Sequence, residues 1–506
     1  MINRSKISQP LEVITYENFQ GLDTSASILA QEVPKRQTLF VCDNGFCDWR
    51  GQIVQDYGYE HSSGDCDISH VRYYSTREAV SVERRDSGLT FRSDTGAELR
   101  DIHPRSAVIT STVFNRKLLL LARARPVYEY DGYSFKAIKS PALEFMRPSY
   151  CATIQRRFVV AGIPGRETEV HLSRVDAESV MPDDEGDSEE SVLRAGKIDI
   201  KNLINKADVI TGLGSFEQSR LVIFTSSSAV IYRVDPNIDE WQLDTSANVN
   251  IGCISHNTIA NAGKDLMFCS RAGIHSIKRS EDNGILVYSY SLSDRVSQLY
   301  QALVATVDNL ETISAVWDQD NAQYHVFFPH RNGLISTRLT LSINPDGSGD
   351  GSPVPKFSTA SFLDQTCGDF LSGRLILGTR GGVYKALRPG EVTSGSIYPE
   401  MVVETPMLYH QDLLQQKKSK GVVIQATGRG FLTLEALHPE TDEVFDSIRM
   451  EIDSRKDDAV SFRMPLSRQY QRPFNHAYDR VRFRIRTEGY GGLLRIVSLS
   501  VMLRKD

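Results

Sequence analysis

The chain is predicted to be all-β, a β-propeller of six to eight blades followed by an antiparallel β-sandwich, on three observations. A two-strand phrase recurs along the first 385 residues, helical periodicity is scarce, and the texture of the sequence changes after Pro399. Each copy sets a polar or charged residue before an apolar run, then a short loop, then a second apolar or alternating run. The clearest copies are NRKLLLLARARPVYEYDG (Asn115–Gly132), QSRLVIFTSSSAVIYRVD (Gln218–Asp235), GKDLMFCSRAGIHSIKR (Gly263–Arg279) and SGRLILGTRGGVYKALR (Ser372–Arg388). Weaker copies run over Gln155–Ser173 and Asn321–Leu339. Marked by Leu118, Phe158, Leu221, Leu266, Tyr324 and Leu375, the copies lie 40, 63, 45, 58 and 51 residues apart, the spacing of four-stranded propeller blades.

Taken in order, residues 1–35 are expected to form an extended arm, because apolar runs are few and Pro34 punctuates the entry into TLFVC. Residues 36–398 are the expected propeller, with short β-branched or alternating runs bounded by Gly, Asn, Asp and Ser. Two more copies of the phrase are expected at Gln37–Gly51 and Ser87–Leu99. The best helix is Ser293–Asp308, where Val296, Leu299, Leu303 and Val304 share a face and Ser293 suits an N-cap.

The 63-residue interval holds an acidic insertion at 176–190, DAESVMPDDEGDSEE, with eight carboxylates and no cation in fifteen residues. Asp176, Glu178, Asp183, Asp184, Glu185, Asp187, Glu189 and Glu190 repel one another. The segment is read as a solvated loop, or as an acidic loop facing a partner or a channel. The Gly- and Ser-rich loop Asn344–Pro355 resembles a calcium loop but has Phe357 where the twelfth-position carboxylate is needed.

Residues 399–506 contain no copy of the phrase. KGVVIQATG, FLTLEALH, AVSFRMPL, DRVRFRIRT and LLRIVSLSVML are strands of regular length between polar turns, which predicts a separate sandwich. This part is also basic, with Lys417, Lys418 and Lys420 near its start. Arg480, Arg482, Arg484 and Arg486 alternate with apolar residues, so one face of their strand is cationic. That face is either solvated or a contact for an acidic neighbour.

Composition narrows the function classes. A chain of 506 residues, 40% hydrophobic and 24% charged, has the make-up of a globular protein with a large core. No stretch approaches the ~18–20 apolar residues of a membrane span, and the first residues lack a signal-peptide core, which predicts synthesis in a cytoplasm. A net charge of −6 gives no general attraction to nucleic acid or anionic lipid. Seven scattered cysteines argue against a disulfide framework. Cys42, Cys47, His61, Cys66 and His70 cluster in sequence, but their spacing fits no compact zinc knuckle, and no metal or cofactor is expected.

Nor does the sequence present a catalytic constellation. A sialidase-type propeller needs carboxylates, a Tyr nucleophile and clustered arginines. Its recurring Ser-x-Asp-x-Gly-x-x-Trp turn has one degenerate counterpart, Ser280–Gly284, with Val287 where Trp belongs. Asp-Asn-Gly is a hairpin turn in its own right. Walker loop, His-Glu-x-x-His and Gly-x-Ser-x-Gly motifs are missing. Gly212, Gly214, Gly378, Gly381 and Gly382 need only turn geometry, and His256, His275 and His325 read as sheet residues. The chain is therefore expected not to be an enzyme; the competing class is a propeller that binds or hydrolyses host surface glycan.

The order of several phrases resembles the tail nozzle, or packaged-DNA stabilisation, proteins of short-tailed bacteriophages. Asn44–Gly58 (NGFCDWRGQIVQDYG) is similar to their early segment, although Asp56-Tyr57-Gly58 stands where Arg-Pro-Gly is usual. Arg156–Asp176, Ile210–Val234, Ile251–Ile277, Ser291–Tyr300 and Ala315–Pro329 follow in the family's order, with Ile210–Val234 the nearest match. The resemblance implies a non-catalytic virion protein in the tail, assembled as a six-fold ring under the portal and its adaptor. Such a ring contacts the tail adaptor and a tail fibre or tailspike, and passes packaged DNA without reading its sequence. Independently of the resemblance, the charge split between the acidic insertion and the arginine strand suggests that the two pair between neighbouring copies.

Overall fold

The computed structural model describes residues 12–25, 37–182, 184, 192–216, 219–244, 249–263, 265–279, 286–288, 291–331, 334–343, 355–388, 391, 393–406, 408–409, 417–438, 441–453, 468–472, 477–478, 480–489 and 494–505. The chain divides into two compact units, one of 61–338 and 363–385, the other of 1–60, 339–362 and 386–506.

The first unit is a seven-bladed β-propeller. Its first five blades are antiparallel four-stranded sheets that begin at Asp67–Ser75, Ile109–Phe114, Tyr150–Ile154, Ile210–Phe216 and Ala260–Ala262. The sixth starts with the hairpin Ser314–Asp318 and Gln323–Phe328, and Thr337–Ser342 then carries the chain into the other unit. The seventh comprises Gln365–Leu371, Arg374–Thr379 and Gly382–Ala386, with Tyr59–Ser63 as its outer strand. Each blade's first strand lies against that of the next, and Gln365–Leu371 returns to Asp67–Ser75 to close the ring. The closing strand thus comes from the N-terminal side of the propeller, where His61 sits edge-on to Tyr384 with centroids 5.1 Å apart.

The recurring phrase is the hairpin of a blade's inner two strands. Asn115-Arg116 and Gln155-Arg156 both have positive φ (48° and 60°; 48° and 58°), as does Ser372-Gly373 (53° and 77°). Two central residues with positive φ form the tight turn whose twist matches that of the strands it joins. The polar residue before each apolar run opens the second strand, as Lys117, Arg157 and Arg374 do.

Those second strands are apolar throughout because both of their faces are covered. Leu118 and Leu120 pack with Val80, Val82 and Phe91 of the first blade. Leu119 and Leu121 pack with Phe158 and Val160 of the third. Val222 and Phe224 meet Leu266 and Phe268 in the same way, while Leu221 and Ile223 turn to Val159 and Ala161. A fully buried leucine contributes about 2 kcal/mol by transfer from water, so each blade boundary is strongly held. Arg157, wholly buried in the third blade, donates to the carbonyls of Ser173, Arg194 and Pro236 at 2.8, 2.6 and 2.9 Å.

The second unit has two sheets. In one, Arg495–Lys505 pairs with Lys417–Thr427, Glu12–Tyr16 and Ile53–Gln55, while Gly45–Cys47 and Arg468–Arg472 add further strands. In the other, Arg480–Gly489 lies between Met401–Glu404 and Arg429–Leu437, flanked by Val41–Asp43, Lys356–Ala360 and Val444–Asp453. Burial alternates along the strands: Leu432, Leu434 and Ala436 are buried in one sheet, Val422, Ile424 and Ala426 in the other. This is the half-buried pattern of a sandwich.

Several expectations are corrected here. The two-sheet unit is not confined to 399–506: it recruits Glu12–Tyr16 from the expected arm and Val41–Asp43 and Lys356–Ala360 from the expected propeller. Gln37–Gly51 is not a blade hairpin, because Val41–Asp43 and Gly45–Cys47 enter different sheets. Ser87–Leu99 does fall in a blade, spanning Gly88–Ser93 and the start of Glu98–His103. The helix is Ser297–Ala305, preceded by a 3₁₀ turn; it buries Tyr300 and Leu303 but not Leu299, and Ser293 holds the N-cap position of the turn while its hydroxyl accepts from the Ile274 amide. The calcium-like loop (344–354) and the Ser280–Gly284 turn lie outside the described residues.

Candidate functional site

The propeller axis carries a cavity of about 240 Å³ to which all seven blades contribute, among them Arg72, Ser111, Thr153, Ser215, Asn261, Ser314 and Gly368. Arg72 is the one formally charged side chain among its described lining residues, and its Nη1 donates to Asp369 Oδ1 at 3.2 Å. Asp369 also accepts from the Tyr73 amide at 2.7 Å, and burial raises its carboxyl against the pull of Arg72.

Two imidazoles face the same space. His70 Nε2 lies 2.8 Å from Ser111 Oγ, and His256 Nδ1 accepts from the Leu213 amide at 3.2 Å. Burial, assisted by the Arg72 charge, lowers His70 to about 3 and His256 to about 4, so both are neutral at ordinary pH. His256 belongs to a 3₁₀ turn, not to the strand expected from its run. His275 Nε2 contacts Ser270 Oγ at 2.9 Å and His325 Nε2 stands 4.0 Å from Asp318 Oδ2, both inside sheets.

The acidic insertion is tied to the propeller at its described end, which corrects its reading as a loop without balancing cations. Asp176 accepts from Arg156 Nε at 2.8 Å. Glu178 accepts from Lys117 Nζ at 2.7 Å and Asn115 Nδ2 at 2.9 Å. Burial alone would raise the Glu178 carboxyl; hydrogen bonds from Lys117, the backbone and Asn115 outweigh it and hold the group low. Asp184 accepts from Ser140 Oγ, the Ala142 amide and the Met181 amide at 2.9–3.0 Å, fastening the start of the helix Pro141–Met146. Asp183, Glu185, Asp187, Glu189 and Glu190 lie outside the described residues.

The cationic strand is likewise neutralised from within its own unit. Arg484 stands in register between Glu404 and Glu435 on the flanking strands, with Nε 2.5 Å from Glu404 and Nη1 3.6 Å from Glu435. Arg486 pairs with Glu435 and Glu400 at 3.4 and 3.6 Å. Arg482, 4% exposed, is paired with Asp442 and lies 3.9 Å from Glu404. Arg480 is placed by its backbone alone. The described members of both charged sets are thus engaged inside their own unit. Sequence reasoning missed Arg72, because nothing in DISHVRYYS marks it as facing an axis; its position at the inner strand of a blade is the only available signal.

Cys42 and Cys47 are both buried; Cys42 Sγ donates to the Gly45 carbonyl at 3.7 Å, and the neighbouring Cys47 thiol together with burial pushes the Cys42 thiol up. His61 contacts the Gly64 carbonyl at 2.7 Å. Among the described residues no group of three His, Cys, Asp or Glu side chains comes together to hold a metal. No described helix is long and apolar enough to cross a membrane.

No protein-family model and no curated protein matches the chain. Among solved structures, virginiamycin B lyase of Staphylococcus aureus is similar at 8% identity and a TM-score of 0.40, covering 65% of this chain and 100% of the lyase. BamB of Moraxella catarrhalis is similar at 10% identity and a TM-score of 0.37, covering 72% and 96%. YCF48 of Cyanidioschyzon merolae shares 10% identity with a TM-score of 0.34, covering 65% and 98%.

Proposed function

We propose that the chain is a structural protein of a short-tailed bacteriophage virion, the subunit of a tail nozzle ring that extends the DNA channel, retains the packaged genome and conducts it during ejection. The observation that carries this reading is the ordered series of phrases Arg156–Asp176, Ile210–Val234, Ile251–Ile277, Ser291–Tyr300 and Ala315–Pro329. A net charge of −6 is in keeping with it, because a chain with more carboxylates than cations offers the phosphate backbone no general attraction.

The propeller axis cannot serve as the conduit. At about 240 Å³ its cavity has the volume of only about eight waters at ~30 Å³ each. The DNA path in this proposal therefore runs between copies arranged around a shared axis, six by analogy with the family. A ring of this kind is built from heterologous contacts that close. Its other partners are the tail adaptor and a fibre or tailspike.

The test is to label intact particles with antibody to this chain and image them by electron microscopy. Label at the outer end of a short tail, with a copy number divisible by six, is the expected result. Absence from particles rejects the proposal, and label confined to lateral fibres replaces it with glycan binding.

A further inference from the structure

The axial cavity of the propeller has features that neither a water-filled seam nor a conduit requires. It is lined mainly by small and polar groups, and its described lining holds one full charge, the Arg72 guanidinium. That side chain is 44% exposed although its strand is part of the inner wall. Asp369 occupies Nη1 at 3.2 Å, and the other guanidinium nitrogens have no hydrogen-bond partner among the described residues. Asp369 itself is not among the lining residues, so the face presented to the cavity is cationic. On the sixth blade, separated from Arg72 by the seventh blade, Ser314 also lines the cavity; it is 7% exposed and its Oγ is buried without a hydrogen-bond partner. A buried hydroxyl with nothing to bond costs about 1–3 kcal/mol, and a rotation of the Ser314 side chain toward the cavity would give it a partner there.

We propose that this cavity is a binding site for a small oxyanion, a carboxylate or a phosphate-type group, with Arg72 as its cation and Ser314 as a hydroxyl donor. A guanidinium suits this ligand because its planar fork meets two oxygens at once. The volume of about 240 Å³ admits a phosphate or a short carboxylate with water around it. Occupancy would link the first and sixth blades past the seventh that lies between them, adding a contact that the neighbour-to-neighbour ring does not supply. The site is independent of any role in a virion.

The experiment follows thermal unfolding of the full chain against sodium phosphate, sulfate and acetate, with sodium chloride holding ionic strength constant. A saturable rise in Tm is expected with at least one of them, since a ligand that binds only the folded state stabilises it by mass action. Preference for acetate over phosphate and sulfate would identify a carboxylate site, and the reverse a phosphate-type site. Arg72→Gln should weaken the apparent affinity roughly 10- to 100-fold and Ser314→Ala roughly 2- to 10-fold. Crystals grown with phosphate should show tetrahedral density beside Arg72 if phosphate is the preferred ion. An equal, unsaturating rise for every salt in wild type and Ser314→Ala, the signature of salt exclusion, overturns the proposal even if Arg72→Gln does not fold. Water alone on the axis in crystals soaked with all three anions overturns it as well.

Discussion

The two units reach the same all-β content by opposite routes. In the propeller each blade is mainly a run of consecutive strands joined by tight turns, and stacking against the next blade buries both faces of the inner hairpin. In the two-sheet unit the strands that pair come from opposite ends of the chain: Glu12 stands opposite Leu503, and Val41 opposite Glu404. Propeller blades are thus made from local contacts, whereas the two-sheet unit must close very long loops before it gains any burial. Their charges differ as well. Buried cations in the propeller can rest on backbone carbonyls, as Arg157 does, while in the two-sheet unit Arg482 and Arg484 depend on carboxylates of neighbouring strands.

The sharpest way to break this comparison is to delete residues 495–506. That strand pairs with Lys417–Thr427 on one side and with Glu12–Tyr16 and Ile53–Gln55 on the other. Hydrogen exchange should show complete loss of protection over Val422–Ala426, with Leu118–Ala122 in the propeller still protected. Retained protection at Val422–Ala426 would mean that the unit does not depend on its long-range strand.

A smaller effect separates the two kinds of ion pair. Glu404→Ala removes the carboxylate nearest the half-buried Arg484 and one near the buried Arg482, leaving both guanidinium groups under-compensated, which should cost about 3 kcal/mol in urea unfolding. Glu178→Ala in the propeller frees Lys117, whose side chain is 33% exposed and keeps Glu129, so about 1 kcal/mol is expected. Equal losses would remove the distinction.

The third prediction concerns acid. His70, His103 and His256 are held low by burial, to about 3, 4 and 4, and all belong to the propeller. Unfolded histidine titrates near ~6.5, so as pH falls below that value the unfolded chain takes up protons first. Stability is therefore full above about pH 6.5 and falls toward pH 4 by about 1.4 kcal/mol per pH unit for each histidine. His103 packs against Phe91 and Tyr128 with centroids 5.8 and 5.6 Å away. His103→Phe should change stability at pH 7 by less than about 1 kcal/mol and flatten the acid slope by one histidine. An unchanged slope would show that His103 does not carry its share.

Much of the propeller was legible in the sequence because its signals are local. KLLLLA and RLVIFT announce strands covered on both faces, and Asn115-Arg116 and Ser372-Gly373 mark hairpins that need no distant partner. The charged sites were less legible. Alternating arginines state which side chains share a face, but the carboxylates that meet them, Glu404 and Glu435, lie on other strands whose register the alternation does not contain. The acidic insertion looked unbalanced for a similar reason: Arg156 and Lys117 come from blades that folding brings beside it.

By itself the sequence determined an all-β chain with repeated hairpins and a change of architecture toward its C-terminus. Only the tertiary structure decided that the blades number seven, that Tyr59–Ser63 closes the ring, that the N-terminal segment joins the last strand, and that Arg72 faces the axis. Periodicity and turn chemistry act over a few residues and are written in consecutive positions. Ring closure, long-range pairing and the partner of a buried charge depend on which distant surfaces fit, and that is settled only when the chain has packed.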